Sequence, residues 1–99
     1  MLTGLIKPVF LFLKKMPKGK VITYGALARK CGVPNPRNVG WILQQNTEPL
    51  KTPCFKVVCS GGRLAKGYKF GGKNGQEGRL RKDGVGFDQR GRVLAEHML

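Results

Sequence analysis

Leu5, Val9, Phe12, Leu13 and Met16 recur at steps of three and four, the spacing that lines up one apolar face of an α-helix, and Pro17 closes the pattern. A first helix is therefore predicted over roughly residues 5–16. Thr23 supplies a side-chain oxygen where a second helix needs an N-cap. Ala26, Leu27 and Ala28 favour the helical conformation and Gly32 suits a left-handed terminus, so the second helix is predicted over 24–31. Pro34 and Pro36 stand where a third helix begins. Val39, Gly40, Ile42 and Leu43 give it a compact apolar face, and Asn46, Thr47 and Pro49 stop it, predicting 36–46.

The pattern then changes. Val57 and Val58, β-branched and beside Phe55, make 52–60 an extended segment leading into a Gly-rich hairpin or loop. Ten of the 15 glycines lie within residues 61–91, so the second half is loop-rich. A fourth helix is predicted over 73–83, although Gly75 and Gly78 each cost it about 1 kcal/mol relative to Ala. Together these elements predict one α+β domain over residues 1–99, mainly helical, with a small extended segment. Helices of this length joined by a Gly-containing turn fit a helix-turn-helix with 36–46 as the recognition helix; an ordinary three-helix core gives the same pattern.

Length limits the chain to one small domain with a single core cluster. Ile, Leu, Val and Phe make up 27 of the 99 residues, enough for a folded chain. Charge sharpens the picture. Nineteen Lys and Arg face five Asp and Glu, a formal charge of +14, and residues 1–47 hold eight basic and no acidic side chains. Such a surplus points to a polyanion, with nucleic acid first and an anionic membrane surface second. The longest apolar run, residues 9–13, is far short of the ~20 residues of a membrane span. No charge precedes Lys7, Pro8 interrupts the segment and no small-residue cleavage site follows, which argues against a secretory signal. The expected chain is soluble, a monomer without a membrane partner, cytoplasmic and nucleoid-associated, or nuclear in a eukaryote.

Cys31, Cys54 and Cys59 are odd in number and form neither a CxxC nor a zinc-type spacing, so free thiols are expected, with no structural metal and no cofactor. Cys54 stands out. Pro53 biases Thr52 to an extended backbone, and Lys51 and Lys56 flank the thiol, which predicts a lowered pKa. A reactive thiol and a small buried hydrophobe are both compatible with this setting. Elsewhere, Cys59 reads as a small buried hydrophobe, Trp41 as a core aromatic turned inward, Asp83 as the cap of a turn before Gly84, and His97 as an exposed terminal residue. Lys14, Lys15, Lys18 and Lys20 read as phosphate contacts.

The stretches GKVITYGALA (19–28), PRNVGWILQQN (36–46), PCFKVV (53–58) and GYKFGG (67–72) resemble the DNA-binding domain of O6-alkylguanine-DNA alkyltransferases and their alkyltransferase-like relatives. The resemblance implies a winged helix-turn-helix that docks in the minor groove of double-stranded DNA and flips an alkylated guanine. It implies irreversible transfer of the alkyl group to Cys54, single turnover and without cofactor. Arg37 would be the finger that fills the vacated base stack, Tyr24 the group beside the flipped nucleotide, and Asn46 the hinge between the recognition helix and the acceptor. Phe55, Tyr68 and Gly71 would line the pocket. Asn35, Asn38 and Gly40 suit close approach to a groove only about 6 Å wide.

The chain departs from the family where the transferases carry His and then Arg after the acceptor. Here Phe55 and Lys56 follow, and Asp83 takes the place of the Glu that backs the His. A thiol of ordinary pKa is still a few per cent ionised at pH 7, so losing that relay is expected to slow transfer by about one to two orders of magnitude without abolishing it. The alkyltransferase-like relatives instead replace the acceptor, commonly with Trp, and mark lesions for nucleotide excision repair, which adds other repair proteins as partners. The tail GVGFDQRGRV (84–93) and Gln76 resemble that branch, whereas the retained Cys54 does not. The expected function is DNA alkylation repair by transfer to Cys54. The alternatives are lesion binding without transfer and a helix-turn-helix transcription regulator.

Overall fold

The computed structural model describes residues 2–99. A 3-10 turn at Leu2–Leu5 leads into α1 (Ile6–Lys14), and a short strand β1 (Ile22–Thr23) runs directly into α2 (Tyr24–Cys31) and then α3 (Pro36–Gln44). The second half supplies β2 (Val57–Val58) and α4 (Gly72–Lys82), with 3-10 turns at Cys54–Lys56, Ser60–Gly62 and Ala95–His97. The helix ends follow from local chemistry. Thr23 Oγ1 accepts from the Ala26 amide at 3.2 Å, and Gly32 closes α2 in the left-handed region at φ 70°. Asn35 Oδ1 accepts from the Asn38 amide at 3.2 Å, while Pro36 occupies the first turn of α3, where its missing N–H costs nothing.

α3 stops at Gln44, short of the expected 46, because the Asn46 side chain is used outside the helix. Its Nδ2 donates to the Thr52 carbonyl at 2.8 Å and its Oδ1 accepts from the Glu48 amide at 3.0 Å. The buried Asn46 thereby folds the chain back so that residues 52–54 return beneath α3.

β1 and β2 pair in parallel, Ile22 with Val57 and Thr23 with Val58. The paired segment is therefore much shorter than the expected 52–60, with a 3-10 turn at Cys54–Lys56 before it and another starting at Ser60 after it. The core is also not the single cluster expected. Alternation along the strands divides it: Ile22 and Val57 face a cluster with α1, α2 and α3, while Val21 and Val58 face a second with Phe55, Leu80, Val85 and Val93.

α4 carries the glycines that the sequence pattern counts against it, and Gly75 has a packing reason: a Cβ there would collide with the Phe70 carbonyl oxygen. One turn on, the fully buried Gln76 clasps the middle of the molecule. Its Oε1 accepts from the Ala65 amide, and its Nε2 donates to the carbonyls of Phe55 and Val57, each at 2.9 Å. Gln76→Ala leaves these backbone groups buried without a partner and is expected to lower unfolding stability by about 2–3 kcal/mol, read as a lower urea midpoint at unchanged m.

Two further expectations are corrected by long-range bonds. Asp83 does not cap its own turn; Oδ2 lies 2.8 Å from Lys56 Nζ and accepts from the Gly19 amide at 2.9 Å. Lys56, almost fully buried, also donates to the Pro17 carbonyl at 2.8 Å. His97 is not a free terminal side chain either. Its Nε2 accepts from the Gly86 amide at 3.0 Å and its Nδ1 lies 2.9 Å from the Gly19 carbonyl, contacts the neutral Nδ1–H tautomer satisfies together.

Candidate functional site

A cavity of about 830 Å³ opens between the start of α2, α3 and the loop over residues 59–69. It brings together Tyr24, Arg37, Gly40, Cys54 and Tyr68 of the residues singled out in the sequence. Each is delivered by a different device. The Thr23 cap places Tyr24 at the first position of α2. Arg37 and Gly40 fall three residues apart on the exposed side of α3 because Val39, Ile42 and Leu43 take the inward side. Cys54 arrives at the wall through the Asn46 turn.

Most of the other named residues lie elsewhere. Asn35 is the cap of α3, and Asn38 borders a separate shallow groove with Leu2, Leu5, Pro34 and Trp41. Asn46 is buried behind the thiol. Phe55 packs in the second core cluster and borders a different cleft, since consecutive residues of the 3-10 turn point in different directions. Gly71 is the left-handed entry to α4, at φ 105°, not a pocket wall. Trp41 is not turned inward but 42% exposed; on a 100° wheel it falls beside Arg37, away from the buried arc. Cys59, expected to be buried, is half-exposed and lines the cavity. None of Lys14, Lys15, Lys18 and Lys20 lines it, and Lys20 donates to the Glu96 carbonyl at 2.9 Å.

The electrostatics of Cys54 differ from those its neighbours in sequence predict. Lys51 pairs with Glu48 at 3.1 Å on the surface, and Lys56 is taken by Asp83. Burial dominates and pushes the Cys54 thiol up, opposed by interactions with Asn46 and Tyr68 and by the Arg79 charge. The Tyr68 hydroxyl is buried with no partner in good hydrogen-bond geometry, so its contact with the thiol is a loose one. Burial raises Tyr68 as well, and it raises Tyr24 to about 12, reinforced by Cys59 and Cys54. Both phenols therefore remain neutral at neutral pH and present hydroxyl donors. The cavity holds no His, Asp or Glu among its lining residues.

Lys69 has a role that no sequence signal disclosed. Its Nζ donates to the carbonyls of Gln44 and Asn46 at 2.9 and 3.0 Å, neutralising the C-terminal end of α3. Gln44 in turn reaches the Gly67 carbonyl at 3.4 Å. These bonds fasten the loop carrying Tyr68 to α3 and so fix the mouth of the cavity.

The family model for the DNA-binding domain of 6-O-methylguanine DNA methyltransferase matches residues 6–85. The chain belongs to this family. It is 33% identical over 87 residues to a DNA base-flipping protein of Vibrio parahaemolyticus, covering 86% of this chain and 84% of that protein. It is 38% identical over 78 residues to a bifunctional methyltransferase/endonuclease of Picrophilus torridus, covering 78% of this chain but only 26% of that protein, so it spans about a quarter of that relative's length. Among solved structures, S. pombe Atl1 in complex with damaged DNA containing O6-carboxymethylguanine superimposes with a TM-score of 0.79 at 28% identity, over 98% of this chain and 95% of that one. The small helical domain with its two-stranded sheet is thus shared with a lesion-bound member of the group.

Proposed function

We propose that this protein acts in DNA alkylation repair. α3 docks in the minor groove, an O6-alkylguanine swings out of the duplex into the cavity, and Cys54 takes its alkyl group. In this reading α2 and α3 form the helix-turn-helix, and the hairpin closed by the Phe87–Val93 bridge is its wing. The observation that carries the proposal is that the Cys54 thiol and the Arg37 side chain of the exposed helix border one open cavity. Its volume lies within the range of small-molecule sites and accepts a purine.

Extruding a base costs a few kcal/mol of unstacking and unpairing, less at a damaged one, and a guanidinium entering the gap restores stacking and phosphate attraction. Once the purine is inside, Tyr24 offers it a hydroxyl donor and the Tyr68 ring forms part of the wall. The thiolate Sγ attacks the alkyl carbon and the bond from that carbon to O6 breaks. The electron pair returns to the guanine, which takes up a proton, and a thioether remains on Cys54. The thiol proton goes to solvent, no cofactor takes part, and each chain reacts once.

A second reading, lesion binding without transfer that recruits other repair proteins, is favoured by one observation: burial holds the thiol protonated in a cavity without a base. Incubation with a duplex containing O6-methylguanine, followed by intact mass, separates the two. Transfer adds one methyl to the wild type and none to Cys54→Ser; selective lesion binding at unchanged mass establishes the second reading. Absence of any preference for the damaged duplex overturns both. Arg37→Ala is expected to weaken lesion binding about tenfold while changing affinity for undamaged duplex about twofold or less, because only the lesion complex uses the finger.

A further inference from the structure

Beside the cavity lies a second cleft of about 730 Å³, sharing only Cys59 and Lys66 with it. Arg63, Lys66, Lys73, Arg90 and Arg92 line it, with Glu77 as its single acidic residue. Glu77 is already paired with Arg81 at 2.8 Å. Among the described residues none of the five cations is in a salt bridge. Asp88, next to the cleft in sequence, turns its Oδ1 to the amides of Arg90 and Arg92 at 2.8 and 3.0 Å. That carboxylate fixes the loop that presents both guanidinium groups and offsets only part of the positive charge.

Five cations around one concave surface repel each other in the free protein, and a polyanion relieves that repulsion. A strand of DNA meets the requirement, since it presents a negative charge every 3.4 Å or so along its axis. The rim shared with the base cavity gives the direction: a strand whose nucleotide has entered the first cavity passes Ser60 and Lys66 and continues over the second. Building on the lesion-flipping reading above, we propose that this cleft binds the phosphate backbone of the strand flanking the flipped nucleotide. It would be a second anchoring track separate from α3, contributing affinity without reading sequence.

The test is fluorescence anisotropy of the full chain on a duplex with a central O6-methylguanine, titrated from 50 to 300 mM salt. Arg90→Gln/Arg92→Gln is expected to weaken binding about tenfold at 150 mM and to shallow the slope of log affinity against log salt by about two, the loss of two phosphate contacts. Lys73→Gln, at an exposed lysine of α4, is expected to shallow it by about one. Lys7→Gln/Lys82→Gln removes the same charge away from the cleft and should leave the slope unchanged. Equal losses in cleft and control variants, or an unchanged slope in the cleft variants, would overturn the proposal. With lesion preference intact, either result removes the second track alone; a wild type that binds no lesion duplex removes both this inference and the reading on which it rests.

Discussion

Replacing Asp83 with alanine is expected to destabilise the protein by about 3–5 kcal/mol, the range for stripping one partner from a buried ion pair. A domain of this kind has about 5–15 kcal/mol in total, so the variant should unfold near the foot of the wild-type urea transition. The size of the effect follows from what remains. The Lys56 side chain is 4% exposed, and without Asp83 its ammonium keeps only the Pro17 carbonyl. The Gly19 amide loses its acceptor as well. Removing the charge together with its partner distinguishes this account from simple loss of contacts. Lys56→Met/Asp83→Ala should recover most of the loss, leaving about 1–2 kcal/mol for the unpaired Gly19 amide. If the double variant is instead as unstable as the sum of the two singles, the penalty is not that of an uncompensated buried charge.

This pair also marks the limit of what the sequence discloses. α1, α2 and α3 are legible because their signals are local: Pro17 ends the first, Thr23 and Gly32 bracket the second, and Pro34 with Pro36 marks the start of the third. The approach of Cys54 to α3 is not legible from local signals; the hinge at Asn46 enters only through the resemblance, and the bonds of Asn46 to Thr52 and Glu48 make the turn. Side chains that act across the chain are not legible either. Lys56 stands beside Cys54 in sequence and suggests activation of the thiol, yet it reaches Asp83 and Pro17, 27 and 39 positions away. His97 and Gly19, at opposite ends, meet in the same way. Trp41 fails for a different reason. With Val39, Ile42 and Leu43 around it, four apolar residues in five cover more than one face of a helix, and only packing decides which is left outside. Phe55 and Cys54 are adjacent in sequence but enter different clusters, so Phe55 does not lie at the cavity wall where the resemblance implies it.

Alkylation of Cys54 is expected to accelerate about tenfold per pH unit between pH 7 and 9, roughly a hundredfold in all, because the thiolate is the nucleophile. The sign follows from burial. Raising the thiol above its ordinary value keeps the thiolate fraction below the usual few per cent at pH 7. Each unit of pH then multiplies that fraction by ten until the thiol itself titrates. No neighbour flattens the profile: Tyr24, pushed up to about 12, stays neutral across the window, Tyr68 is raised as well, and the chain's one histidine bonds Gly19 and Gly86. Iodoacetamide labelling with peptide mapping measures this at Cys54 without DNA, with Cys31 and Cys59 as internal references in the same chain. Methyl gain from a lesion duplex measures it in the proposed reaction. A rate constant flat from pH 7 to 9 in both would mean that the thiol is already ionised or that a base in the folded chain takes its proton. Either outcome contradicts a reaction limited by a desolvated thiol. A steep profile with iodoacetamide and no methyl gain at any pH would place the thiol at the wall of a binding cavity and leave lesion recognition as the work of Arg37, Tyr24 and α3.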